Sequence, residues 1–305
     1  MENNNNPLAS LIVVFYKQEK FVRETVEGAL SQTYPNLEII LSDDNSPDGT
    51  FEEIQKAIKD YKGPHKIIVS RNEKNMGLVP HINKTLFELS HGDYIFLNGG
   101  DDISMPNRVE DGVNAFKANP EIAAVTFSRI IINKQSEEVG RKEVVQEHVE
   151  IIDKDYLKKD NFMAGASALS FRRSLLASFG RLNDDCQTED SVLRFRALLT
   201  GGILCKKEFG LRYRVHDNNI SSSLGNFKTE LIANQYDRDL NKQREKISSL
   251  LYVALVNKIE FYCKYRKLQV LCEQEKNLIR KLIHQIQMKS LKAKYLREVS
   301  NSSVV

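Results

Sequence analysis

The sequence has four cysteines, and none forms a CxxC pair or a zinc-ligand spacing: Cys186, Cys205, Cys263 and Cys272 are scattered. That argues against a zinc ribbon or a disulfide-stapled scaffold and predicts reduced thiols. No apolar run approaches the roughly 20 residues that span a bilayer; residues 250–256 come nearest and are far too few. The opening MENNNNP lacks a basic stretch followed by an apolar one. No signal peptide is expected, and the chain is read as cytoplasmic. There is no internal repeat, and residues 226–305 contain neither Gly nor Pro.

What is present suffices for a sizeable core. A chain of 305 residues, 41% of them hydrophobic, can build one large α/β domain with an extension. The net charge of +3 is unevenly divided: residues 1–225 hold 28 Lys and Arg against 33 Asp and Glu, whereas residues 226–305 hold 16 against 8. The two parts are expected to do different jobs: an α/β domain over 1–225 and a basic α-helical extension over 226–305.

Residues 8–15 (LASLIVVF), 37–42 (LEIILS), 66–70 (KIIVS) and 93–97 (DYIFL) read as strands. Apolar residues at helical spacing predict helices over 19–31, 51–61 and 81–90. The alternation predicts a mainly parallel sheet flanked by helices, with ligands bound outside the carboxyl ends of the strands. Two acidic pairs fall at such ends, Asp43-Asp44 and Asp101-Asp102. Residues 212–225 read as a polar loop.

Adjacent carboxylates after two glycines, as in Gly99-Gly100-Asp101-Asp102, suit Mg²⁺ or Mn²⁺. Such ions take one or two carboxylates and complete their shell with phosphate oxygens and water. The same pair also reads as a solvated acidic turn. Asp43-Asp44 can accept from a nucleobase N–H or ribose hydroxyls, or cap the turn that follows. Glu189-Asp190 opens a helical pattern, as a general base or as plain N-terminal helix charge. His216, near Arg214, reads as a metal or diphosphate contact or as a structural histidine.

In order along the chain these segments resemble the family 2 glycosyltransferases, inverting enzymes of GT-A (Rossmann-like) fold. The resemblance rests on Val14-Phe15-Tyr16, the run from Ala29 through Gln32-Thr33-Tyr34-Pro35 to Ile40, and Asp43-Asp44-Asn45-Ser46. It continues with Asn75, Gly77 and Asn83, with Asp101-Asp102, and with the stretch from Met105 to Glu110. Gly165-Ala166-Ser167, Glu189-Asp190, and Tyr213-Arg214-Val215-His216 with Ile220-Ser221 complete it. It implies Asp190 as catalytic base and Asp102, with Asp101, as metal ligands for Mn²⁺ or Mg²⁺. It also implies nucleotide-sugar contacts from Phe15, Tyr16, Asp43, Asp44, Asn83, Asp101, Glu189 and His216.

The donor expected from the resemblance is a UDP-sugar. The expected acceptor is a saccharide, with an undecaprenyl-diphosphate carrier as the candidate, in O-antigen or capsule synthesis. The basic segment 226–305 suggests either peripheral contact with the inner face of the plasma membrane or a homodimer; no motif suggests nucleic acid. There are departures. Phe15 and Lys17 replace the usual Thr and Asn of the opening motif, Ile82 replaces the common Arg before Asn83, and Gly99 replaces the first Asp of DxD. Arg71 or Lys74 is the candidate to stand in for the missing Arg. The competing readings are a non-catalytic nucleotide-sugar-binding relative and a receiver-like phosphoacceptor domain.

Overall fold

The computed structural model describes residues 6–159, 169–216 and 229–302. The quoted segments Gly165-Ala166-Ser167 and Ile220-Ser221 lie outside them.

Strand β1 (Ala9–Phe15) is buried along almost its whole length, which is why it reads as an unbroken apolar run. It pairs in parallel with β2 (Leu37–Asp43) and with β4 (Tyr94–Gly99), and β2 pairs in parallel with β3 (Lys66–Arg71). Helices α1 (Val22–Leu30) and α2 (Thr50–Ile58) supply the crossovers between β1, β2 and β3. Helix α3 (Leu78–Lys84) and a five-residue π-helical turn (Thr85–Leu89) lead into β4.

The far half of the sheet mixes directions. After β5 (Ile103–Ser104) and α4 (Arg108–Ala118) come β6 (Ala124–Ile132), β7 (Glu138–Lys142), β8 (His148–Glu150), α5 (Lys154–Lys158) and β9 (Ser170–Arg172). Helices α6 (Ser174–Phe179) and α7 (Glu189–Thr200) precede β10 (Ile203–Arg214). The order is β3-β2-β1-β4-β9-β6-β10-β5, with β7 beside β6 and β8 beside β10. Strand β9 is antiparallel to both β4 and β6, and β10 is parallel to β6. Residues 212–214, expected in a loop, are the end of β10. Their pairing with β6 and β5 supplies backbone partners that a polar local sequence cannot reveal.

Period-two alternation divides the core between the two sheet faces. Leu11, Val13, Ile39 and Leu41 pack on one face with α1, α2 and α4. Ile12 and Ile40 pack on the other, which continues through α6 and α7 into the C-terminal helices α8 (Thr229–Lys242), α9 (Ser249–Gln274) and α10 (Leu278–Asn301). On α8, Tyr236 stacks on Phe195 with ring centroids 4.1 Å apart, and Asp239 forms a two-pronged ion pair with Arg196 (2.7 and 3.1 Å). Helices α9 and α10 form an antiparallel pair held to α5: Tyr295 donates to Leu157 O at 3.0 Å, and Lys258 to Lys159 O at 2.8 Å.

Candidate active site

The carboxyl ends of β1, β2 and β4 converge on one edge of the sheet. The β1–α1 turn holds Lys17 in the left-handed region (φ 58°). Asn is the residue usually tolerated there, which fits the family's preference at this position. The Lys17 and Gln18 amides donate to Ser46 Oγ and Thr50 Oγ1, both at 2.9 Å, tying the first two βα turns together.

Asp43 is fully buried. It accepts from the Ser46 amide at 3.0 Å and lies 3.4 Å from Arg71. Burial raises its pKa, and the Ser46 bonds and Arg71 oppose that shift. Asp44 accepts from Asn72 Nδ2 (2.7 Å) and from the Met76 and Gly77 amides (2.9 Å each), so it closes the loop that starts α3. Arg71, the candidate stand-in cation, also donates to Ser46 O and lies over the Phe51 ring.

Beyond β4 the chain turns at Gly99-Gly100. A Cβ on Gly100 would lie 2.5 Å from the Phe15 ring and 2.9 Å from Val14 O, so only glycine lets this turn lie against β1. A Cβ on Gly99 would lie 2.9 Å from Asp101 Oδ1. The departure from DxD therefore leaves room for the Asp101 carboxylate. His216 Nε2 lies 2.9 Å from Asp101 Oδ2, and the imidazole stacks on Phe21.

Asp102 faces inward. It accepts from the Arg214 amide at 2.9 Å, and its pKa lies well above the carboxylate range because of burial and then the Asp101 charge. The Arg214 side chain is completely buried and braces the turn. It donates to Asp101 O (2.8 Å), Ser136 Oγ (2.9 Å) and Glu24 (2.6 Å). Its role in joining the acidic turn to the β6–β7 connection was not evident from the sequence, which placed Arg214 only as a neighbour of His216.

Helix α7 presents Glu189 and Asp190 in its first turn. Thr188 caps the helix, and Asp190 accepts from Thr188 Oγ1 (2.8 Å) and from the Ser191 amide (2.7 Å). Burial, then the Asp190 charge, pushes Glu189 up to about 8. Glu189 is therefore protonated at neutral pH. The stability linked to its neutral form is present below the ordinary carboxylate range and is lost as pH rises through about 8. A Glu189→Gln variant is expected to keep kcat at pH 7 within a few-fold and to abolish the inflection near 8 in a kcat/KM profile.

Not every expected residue reaches this site. The Asn83 side chain is buried and fastened to residue 182, 99 positions away, by paired bonds of 2.9 Å to Leu182 N and O. Its amide fixes α3 to the segment before α7. The Phe15 ring packs in the core, whereas Tyr16 is exposed beneath Lys17. Arg129 on β6, absent from the sequence-derived set, lies within electrostatic reach of both Asp102 and Asp190.

The donor set suits a hard divalent cation. Asp101 and His216 offer one carboxylate and one imidazole side by side, and a diphosphate and water can complete such a shell. Among the described residues no three His, Cys, Asp or Glu side chains gather as a ready-made metal cage.

The chain is similar in sequence and in fold to known proteins. Residues 10–180 match the profile of Glycosyl transferase family 2. Escherichia coli WfaP, a UDP-Glc:α-D-GlcNAc-diphosphoundecaprenol β-1,3-glucosyltransferase, is 28% identical over 262 residues, 85% of this chain and 97% of WfaP. A poly-β-1,6-N-acetyl-D-glucosamine synthase of Staphylococcus epidermidis is 28% identical over 61% of this chain and 45% of its own. The chain spans 38–45% of the length of five curated relatives. The structure of S. aureus TarS 1-349 with UDP-GlcNAc superposes with a TM-score of 0.67 at 16% identity, over 96% of this chain and 81% of TarS. A Pyrobaculum calidifontis mannosyltransferase with GDP-Man and Mn²⁺ gives 0.53 at 14% identity, over 97% and 87%. The chain shares the GT-A fold with TarS, the family profile covers more than half of the sequence, and the chain belongs to glycosyl transferase family 2.

Proposed function

We propose that this chain transfers a hexosyl group from a UDP-sugar to a hydroxyl of a saccharide carried on undecaprenyl diphosphate, with inversion, in bacterial surface-polysaccharide assembly. The observation that carries the reading is the Asp101–His216 pair at the carboxyl edge of the sheet; Arg129 lies within electrostatic reach of Asp102 and Asp190. WfaP, matched over 97% of its length, supports the donor and carrier classes.

Asp190 accepts the proton of the acceptor hydroxyl. As that oxygen bonds to the anomeric carbon, the bond to the β-phosphate oxygen breaks, and UDP leaves with its electron pair. One displacement inverts the centre. Asp101 and His216 would hold Mn²⁺ or Mg²⁺, whose charge, when it is bound, stabilises the diphosphate leaving group. Asp102 holds the turn that aims Asp101 through the Arg214 amide. Asp44 sets the loop beside the nucleoside, and Glu189, neutral at pH 7, can donate a hydrogen bond to the sugar. A UDP-sugar panel with a prenyl-diphosphate-linked GlcNAc acceptor tests the reading. Release of UDP with one donor and an inverted anomeric product is expected; no turnover with any UDP-sugar and acceptor sends the assignment elsewhere.

The α9–α10 pair fits a peripheral membrane role. No helix among the described residues is long and apolar enough to cross a bilayer. Leu278 (81% exposed), Ile279 (71%), Leu282, Ile283 and Ile286 form one uncovered stripe on α10. Across residues 264–294 nine Lys and Arg stand against two Glu. Two such surfaces would repel each other, which favours anionic lipid over a second copy, at about 1 kcal/mol per basic residue near the surface. Vesicles containing phosphatidylglycerol are expected to co-sediment the protein, and an Ile279→Glu/Leu282→Glu variant should weaken this at least tenfold. Equal binding to neutral vesicles, or an unaffected variant, would contradict the role.

A further inference from the structure

Among the described residues, two neighbouring cations make no hydrogen bond or ion pair, and one of them, Arg129, lies within electrostatic reach of Asp190. Arg129 on β6 stands directly opposite Lys142 on β7 in the antiparallel register. Like charges in that position destabilise a strand pair, so folding alone gives no reason for the arrangement. Among the described residues neither side chain makes a hydrogen bond or an ion pair; Arg129 only lies over the Tyr213 ring, 5.7 Å from its centroid. Arg129 is half-buried and Lys142 exposed, so the pair opens outward from the sheet.

The proton affinity of both cations is lowered. Burial lowers the pKa of Arg129, opposed by Tyr213 and then by Asp102 and Asp190. The Arg129 charge, then burial, lowers that of Lys142. A guanidinium with all its N–H donors uncommitted, beside a free ammonium, matches the geometry and charge of a phosphate. The β6–β7 connection is also held firmly, because Arg214 donates to Asn133 O (3.1 Å) and Ser136 Oγ (2.9 Å).

We propose that Arg129 and Lys142 form a phosphate-binding subsite, separate from the Asp101–His216 pair, that takes a phosphate or diphosphate group of a substrate at the Asp190 side of the site. It rests on the glycosyl-transfer reading for its role, but not for its chemistry. Two substrates could supply the group: the carrier of the acceptor, or the nucleotide donor.

The test is calorimetric titration of the full chain with farnesyl diphosphate and, separately, with UDP. The variants are Arg129→Gln, Lys142→Gln, the double replacement, and Arg129→Lys. Each neutral replacement should weaken one ligand roughly 10- to 100-fold, the effect of removing a charge-assisted contact, and Arg129→Lys should retain most of the affinity. Lys142 is exposed, so its replacement reads binding rather than folding. Weakened farnesyl diphosphate with unchanged UDP supports the subsite and assigns it to the acceptor carrier. Weakened UDP with unchanged farnesyl diphosphate supports it and assigns it to the donor. Unchanged affinity for both in the double variant, or a wild type that binds neither, overturns the proposal. A wild type that binds farnesyl diphosphate but not UDP counts against the UDP-sugar reading and leaves the subsite standing.

Discussion

An Asp190→Asn enzyme is expected to fall by about 10²–10⁴ in kcat, the range for loss of a positioned general base, with donor KM changed little. The replacement is nearly isosteric. Its amide oxygen can still accept from Thr188 Oγ1 and the Ser191 amide, so the helix start is retained. What it removes is the ability to take the acceptor's proton as the new bond forms. A falling kcat at constant KM separates this from a binding defect. Turnover by the variant equal to wild type would remove Asp190 from the mechanism and direct attention to Glu189.

The largest effect on stability is expected at Arg196. Its guanidinium and the Asp239 carboxylate are both wholly buried and face each other through two bonds, with Arg196 also donating to Gly180 O at 2.8 Å and Gln235 to Asp239 at 2.9 Å. An Arg196→Met variant leaves the carboxylate in the core without its cation. Breaking one side of such a pair costs about 3–5 kcal/mol. Burial already raises the Asp239 pKa while Arg196 pulls it back; without Arg196 that opposing pull is lost. Urea unfolding should show a lower midpoint. The Arg196→Met/Asp239→Leu double variant should recover much of the loss, because no charge is then stranded. Because the pair joins α7 to α8, a large loss would also mean that α8 is part of the catalytic fold's stability. A shift below about 1 kcal/mol, the scale of an exposed pair, would mean that α8 docks loosely.

Much of this architecture is local in origin, which is why a reading of the chain reaches it. LIVVF in β1 is apolar at every position, LEIIL in β2 at every position but Glu38, and both belong to a sheet covered on both faces. The acidic turns fall where β2 and β4 stop. The parts that escaped depend on distant partners. Asn83 looks like a binding residue until residue 182 is placed against it. Arg214 looks like a companion of His216, but its bonds reach Glu24, Asp101 and the 133–136 turn. Arg129 and Lys142 are 13 positions apart in unremarkable sequence, and only the hairpin register sets them opposite each other. The basic character of residues 226–305 was plain from composition, whereas the packing of Tyr236 on Phe195 required the fold.

Whether Asp101 and His216 mark a metal-assisted nucleotide-diphosphate site is decided by calorimetric titration of the wild type and Asp101→Asn with UDP, with and without Mn²⁺. Binding should be strengthened at least tenfold by Mn²⁺ in the wild type and be insensitive to Mn²⁺ in the variant. UDP affinity indifferent to Mn²⁺ in both proteins would contradict it.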